Sequence, residues 1–172
     1  MKIFRHSTNR GFTLIEMLVY ISILAVMTVI IITVTLSQSQ AYADFKVTRN
    51  VYTSASASLE RMVREIRAAD SIIIGSSSLD SHPGILTLQK TGTSGTETVQ
   101  FYLESNTLKV QENSSPEGAL TRKEVSVTNL VFRQVIAMSS EGVHIEMTLS
   151  SIQGNSSKTE QFSTFVIMRN SY

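Results

Sequence analysis

The sequence predicts an α+β protein in which one long N-terminal helix packs on an antiparallel β-sheet domain. Three observations predict it. Neither glycine nor proline occurs from Phe12 to Ile74, so nothing in that span breaks a helix. Beyond residue 41, apolar positions in the span recur every three or four residues, the stripe of an amphipathic helix. From Gly75 onward the chain changes to short segments of alternating polarity bounded by turn residues.

The first part of the helix, residues 12–40, is the half expected to cross a bilayer. Past Glu16 it enters an uncharged run over residues 17–43 whose early part is mostly aliphatic. About 20 such residues at 1.5 Å each match a hydrocarbon core of roughly 30 Å. Ser22, Thr28, Thr33 and Thr35 interrupt the run, but their hydroxyls are expected to return to the helix backbone. The second part belongs to the globular domain, residues 41–172. Phe45, Thr48, Tyr52, Ala55, Leu59, Met62, Ile66, Ala69 and Ile73 form the stripe expected to face the sheet. Lys46, Arg49, Asn50, Glu60, Arg61, Arg64, Glu65 and Arg67 fall on the other face, with Glu60/Arg64 and Arg61/Glu65 spaced as one-turn ion pairs. Gly75 is the expected stop.

After a polar loop over residues 76–84 with a Pro83-Gly84 turn signal, strands are expected at 85–89 and 97–103, flanking a hairpin turn at 91–95. Ser105-Asn106 turns the chain into a strand at 107–112, and residues 113–118, with Pro116 inside, read as a loop. Further strands are expected at 124–127, 130–137, 143–149 and 159–168, with turns at 139–142 and 153–158. Val99, Phe101 and Leu103, and again Val143, Ile145, Met147 and Leu149, alternate with more polar residues. That places one sheet face on a core and the other in water.

The 172 residues leave room for one domain beside the apolar stretch, and no internal repeat or long linker divides it. The formal charge of +1 points to no strongly anionic partner. The absence of cysteine excludes disulfides and thiolate chemistry. His6, His82 and His144 have no metal-ligand spacing, and Asp80-Ser81-His82 is too poor in carboxylates for a calcium loop. No serine sits in a nucleophile elbow, and no phosphate loop or dinucleotide fingerprint is present. No cofactor is expected, and the chain reads as no enzyme. Arg61, Arg64 and Arg67, with Lys46 and Arg49 upstream, would suit nucleic acid or anionic lipid, but Glu60, Glu65 and Asp70 dilute them and no aromatic residues interleave for stacking. A solvated helix face is the plainer reading.

One residue does not fit a plain membrane helix. Glu16 stands at the mouth of the apolar run, where a carboxylate is costly to desolvate and needs a partner or a task. Before it, residues 1–11 carry Lys2, Arg5 and Arg10 with no acid, the bias that keeps a leader on the cytoplasmic side.

Gly11-Phe12-Thr13-Leu14-Ile15-Glu16, after a basic leader and before an apolar helix, resembles the processing site of type IV prepilins and type II secretion pseudopilins. The resemblance implies a pilin-like fold and cleavage between Gly11 and Phe12 by a prepilin peptidase. It further implies N-methylation of Phe12 and pairing of Glu16 with a neighbouring subunit's N-terminal amine during assembly. The partners it implies are the peptidase, other pilin or pseudopilin subunits and the inner membrane, crossed once with the C-terminal domain outside the cytoplasm. Loss of the leader would shift the formal charge to about −2, since it carries three basic residues and no acid. The segments at residues 59–67, 129–132 and 165–170 look like the helix, middle strand and terminal strand of J-type minor pseudopilins and W-type minor pilins. The missing disulfide loop and missing helix-kinking proline also depart from many major pilins.

Two other readings compete. Ala41-Tyr42-Ala43 before Asp44 would suit a conventional secretory signal, although the apolar run exceeds the usual 7–15 residues and a signal does not need Glu16. An uncut signal anchor is the other, and under either the chain would be a secreted or signal-anchored adhesion-type binding domain with no filament.

Overall fold

The computed structural model describes residues 11–92, 95–137 and 140–169, with the backbone alone at 116, 117 and 137. Leader residues 1–10, hairpin residues Thr93 and Ser94, Ser139 of a later turn and Asn170 of the 165–170 segment lie outside the described residues. The chain divides into two compact units, Met1–Ala41 and Tyr42–Tyr172. One helix, α1 (Leu14–Ala68), begins in the first and ends in the second.

In the first unit α1 is long and apolar enough to cross a membrane, and none of that stretch is buried by the rest of the chain. Leu14, Leu18, Leu24, Ile30 and Leu36 are all exposed. So large an unpartnered apolar surface needs lipid or other helices around it. Its hydroxyls behave as expected. Ser22, Thr28 and Thr35 donate to the carbonyls of Leu18, Leu24 and Ile31, and Thr33 to that of Ile30, each at 2.8 Å.

The second unit is α+β, as expected. Strands β1 (Ser71–Ile72), β2 (Leu86–Gly92), β3 (Gly95–Glu104), β4 (Thr107–Glu112) and β5 (Ser115–Ala119) form one antiparallel sheet in that order. Strands β6 (Val125–Ala137), β7 (Ser140–Gln153) and β8 (Ser156–Ile167) form a second. The Val127 N–H donates to the Asn106 carbonyl at 2.8 Å and links the two. One apolar core joins Val51, Ala55, Met62 and Ile66 of α1 to Phe101, Leu108, Phe132, Ile145 and Leu149 of the sheets. Apart from Ala55, each such fully buried side chain contributes about 1.5–3 kcal/mol.

Several expectations need correction. The helix stops at Ala68, well before Gly75. The β-branched run Ile72-Ile73-Ile74 favours extended backbone, and the Asp70 N–H donates to the Gln89 carbonyl at 2.8 Å as β1 joins β2. Ile73 is therefore outside the helix.

The buried stripe of α1 keeps the expected Ala55, Met62 and Ile66 but differs around them. Val47, Asn50, Val51, Ser54, Ala55, Ser58, Met62, Glu65 and Ile66 face inward, whereas Phe45 is 65% exposed and Tyr52 packs edge-on against Phe162 at 5.7 Å. Small residues decide the register here: Ser54 and Ser58 let the helix backbone approach the Leu120–Arg122 segment, and the Ser58 hydroxyl donates to the Leu120 carbonyl at 3.3 Å. Glu65 is buried because it is paired. Its carboxylate meets Arg61 at 2.9 Å, as the one-turn spacing predicts, and Lys90 at 3.5 Å.

The expected loop at 113–118 is a tight turn followed by β5. Asn113 and Ser114 take φ values of 46° and 68°, the mirror-image turn that suits a two-residue hairpin. The segments 124–127 and 130–137 are one strand, β6. Its register slips between Val127 and Asn129, so inward positions change from Val125 and Val127 to Leu130 and Phe132.

Candidate functional site

Gly11, Phe12 and Thr13 precede α1 in non-helical, exposed backbone. The peptide bond between Gly11 and Phe12 therefore lies outside the helix, and among the described residues nothing lies within 4 Å of where a Cβ on Gly11 would be. Helix formation begins directly after it because of a reciprocal cap. The Glu16 N–H donates to Thr13 Oγ1 at 3.3 Å, and the Thr13 N–H donates to Glu16 Oε2 at 3.4 Å. Thr13-x-x-Glu16 is thus a capping box, and a carboxylate in the first turn also suits the positive end of the helix dipole.

The other carboxylate oxygen of Glu16 accepts the Tyr20 hydroxyl at 3.1 Å. The Tyr20 ring in turn meets that of Phe12 edge-on, with centroids 6.3 Å apart. Phe12, Thr13, Glu16 and Tyr20 consequently form one cluster at the helix start. Sequence spacing held the signals for both additions: Thr13 three residues before an acid, and Tyr20 one turn after it. Chemically, the cluster offers a carboxylate held by its own chain beside the one amine that cleavage after Gly11 would create.

The remaining candidates are dispersed. Arg61 turns to Glu65 and to Glu112, the latter at 2.6 Å, so the basic helix face is partly spent on acids of its own domain. Lys46 and Arg49 line a separate pocket with Arg122. His82 accepts the Leu130 N–H at 3.0 Å through Nδ1, which pins the 76–84 loop beside β6. His144, isolated by its sequence setting, meets Ser163 at 2.8 Å and Glu146 at 3.5 Å. Among the described residues no three His, Cys, Asp or Glu side chains gather to hold a metal.

Residues 6–32 match the family model for the prokaryotic N-terminal methylation motif, which spans the leader's end, Gly11, Phe12, Glu16 and most of the apolar helix. The chain has no significant match among curated proteins or solved structures.

Proposed function

We propose that this type IV prepilin- or pseudopilin-like chain is a minor subunit of a pilus or secretion pseudopilus. In this reading the leader, residues 1–11, stays in the cytoplasm. A prepilin peptidase cuts between Gly11 and Phe12, and the Phe12 amine is methylated. Residues 12–40 then hold the subunit in the inner membrane and later pack in the filament, while residues 41–172 act outside the cytoplasm, in priming or at the tip. The chain is a substrate and a building block in this reading, with no chemistry of its own.

The observation that carries the reading is the coincidence of the matched motif with the Glu16 cluster. Glu16 is the only charged residue between Phe12 and Ala43. In hydrocarbon, a lone carboxylate is strongly disfavoured until a cation joins it, so a neighbour's N-terminal ammonium supplies both the reason for the acid and a driving force for stacking. Tyr20 and Thr13 keep the carboxylate satisfied until then.

The test is a Glu16→Val variant in cells that make the filament. Membrane insertion and leader removal should persist while the subunit disappears from sheared filaments. Unchanged incorporation would leave Glu16 as a headgroup-level acid and the chain as a plain anchor.

A further inference from the structure

The free side of β8 up to Ile167 is a sheet edge beside a basic groove, closed by α1 only where the Arg169 N–H meets the Arg67 carbonyl. Among the described residues strand β8 pairs only with β7 in its sheet. The Met168 N–H donates to the Glu141 carbonyl at 2.9 Å, so in the alternating antiparallel pattern Val166 and Thr164 also direct their backbone groups at β7. Phe165 and Ile167 direct theirs outward. Natural edges are usually protected by charge, proline or a bulge. The first half of β8 has Lys158 and Glu160, joined at 2.6 Å. From Gln161 to Ile167 there is no charged residue and no proline, and the β7–β8 register runs without a slip. Phe165 and Ile167 are about half exposed, and the Phe165 ring lies over Gly142, where a Cβ would meet it at 2.7 Å.

Beside this edge runs a groove of about 650 Å³ between α1 and the end of β8, with Val63 and Ile167 among its apolar lining and Arg64, Arg67 and Arg169 among its charges. Among the described residues Glu60 is the one acid lining it. Arg64 lies 3.7 Å from Glu65, a carboxylate that Arg61 and Lys90 already hold. Among the described residues no acid pairs with Arg67 or Arg169, whose backbones meet where the Arg169 N–H donates to the Arg67 carbonyl at 3.3 Å.

We infer that this edge and groove receive an extended acidic segment of a different filament subunit, which adds as a strand to β8. The inference rests on the filament reading above. Main-chain bonds to Phe165 and Ile167 would supply affinity, and carboxylates alternating along the segment would reach Arg67 and Arg169. In a two-fold antiparallel pairing of β8 with a second copy, the facing stretch 161–167 carries no carboxylate for these arginines, so self-pairing leaves them unmatched.

The experiment places a photoreactive phenylalanine analogue at Ile167 in the full-length chain, expressed in filament-forming cells, with the same analogue at exposed Ile152 as control. Illumination should give one adduct at Ile167, mapped by mass spectrometry to an acidic extended segment of another filament subunit, and little at Ile152. Combined Arg67→Glu and Arg169→Glu substitutions should lower that adduct about tenfold or more, while the Arg67→Lys, Arg169→Lys pair keeps most of it. Persistence through charge reversal, an adduct with phospholipid or with a second copy, or no adduct at Ile167 would overturn the inference. The N-terminus of the cross-linked chain separates this outcome from the underlying reading. A start at Met1 or Asp44 sinks the filament role, whereas a start at Phe12 without the adduct sinks only the docking surface.

Discussion

The Tyr20 hydroxyl donates to the Glu16 carboxylate at 3.1 Å, one turn further along α1. Beside lipid, a hydrogen bond to a charged acceptor is worth about 1.5–3 kcal/mol, and removing it leaves the acid underserved. Tyr20→Phe should therefore leave leader removal unchanged and lower the ratio of filament to membrane subunit several-fold, less severely than Glu16→Val. Immunoblots of sheared and membrane fractions read both quantities.

Ser58 is fully buried where α1 meets the Leu120 backbone, and Phe45 is largely exposed. Ser58→Leu forces a branched side chain into that seam and should cost about 1–3 kcal/mol or more. Phe45→Ser removes an exposed ring and should change domain stability by less than about 0.5 kcal/mol. Urea unfolding of the full-length protein in detergent, followed by circular dichroism, distinguishes the two.

The same pair of residues shows what periodicity could and could not reveal. Spacing of three and four marked a helix over this region correctly, yet it selected Phe45 and Tyr52 as core because they are large. Beside the expected Ala55, the helix instead turns Ser54 and Ser58 inward, since small side chains permit close approach to the Leu120–Arg122 backbone. Burial of Glu65 was equally hidden, because its partner Lys90 lies on β2 and a local helix pattern carries no word of it. Strand alternation was more legible: Val143, Ile145, Met147 and Leu149 are all buried. The slip at Thr128 was visible only as a break in parity, which split β6 in two. At the helix start, almost everything was local. Thr13, Glu16 and Tyr20 lie within two turns of each other, and the geometry of their cluster follows from spacing alone.

Lys90 joins Glu65, Glu97 and Glu112 at 3.5, 3.5 and 3.9 Å. Burial works against its ammonium, but Glu65, Glu112 and Glu97 together outweigh that and raise its pKa above the ordinary 10.5. A raised folded-state value means that the stabilisation is complete below about pH 10.5 and fades as pH climbs through the higher folded value. Lys90→Met should cost roughly 1–2 kcal/mol at pH 8, since Arg61 still accompanies Glu65. The gap between the urea midpoints of wild type and variant should narrow as pH passes that range. A gap independent of pH up to strongly alkaline conditions would remove the charge network as its cause.

The central claim is that the chain is cut after Gly11 and keeps its apolar helix for assembly. Intact mass and N-terminal peptide mass spectrometry of the membrane form test it most directly. The account predicts a chain beginning at Phe12 with a methylated amine, and reversion to the full precursor when the leader peptidase is deleted. A mature form beginning at Asp44, with the helix removed, would contradict it.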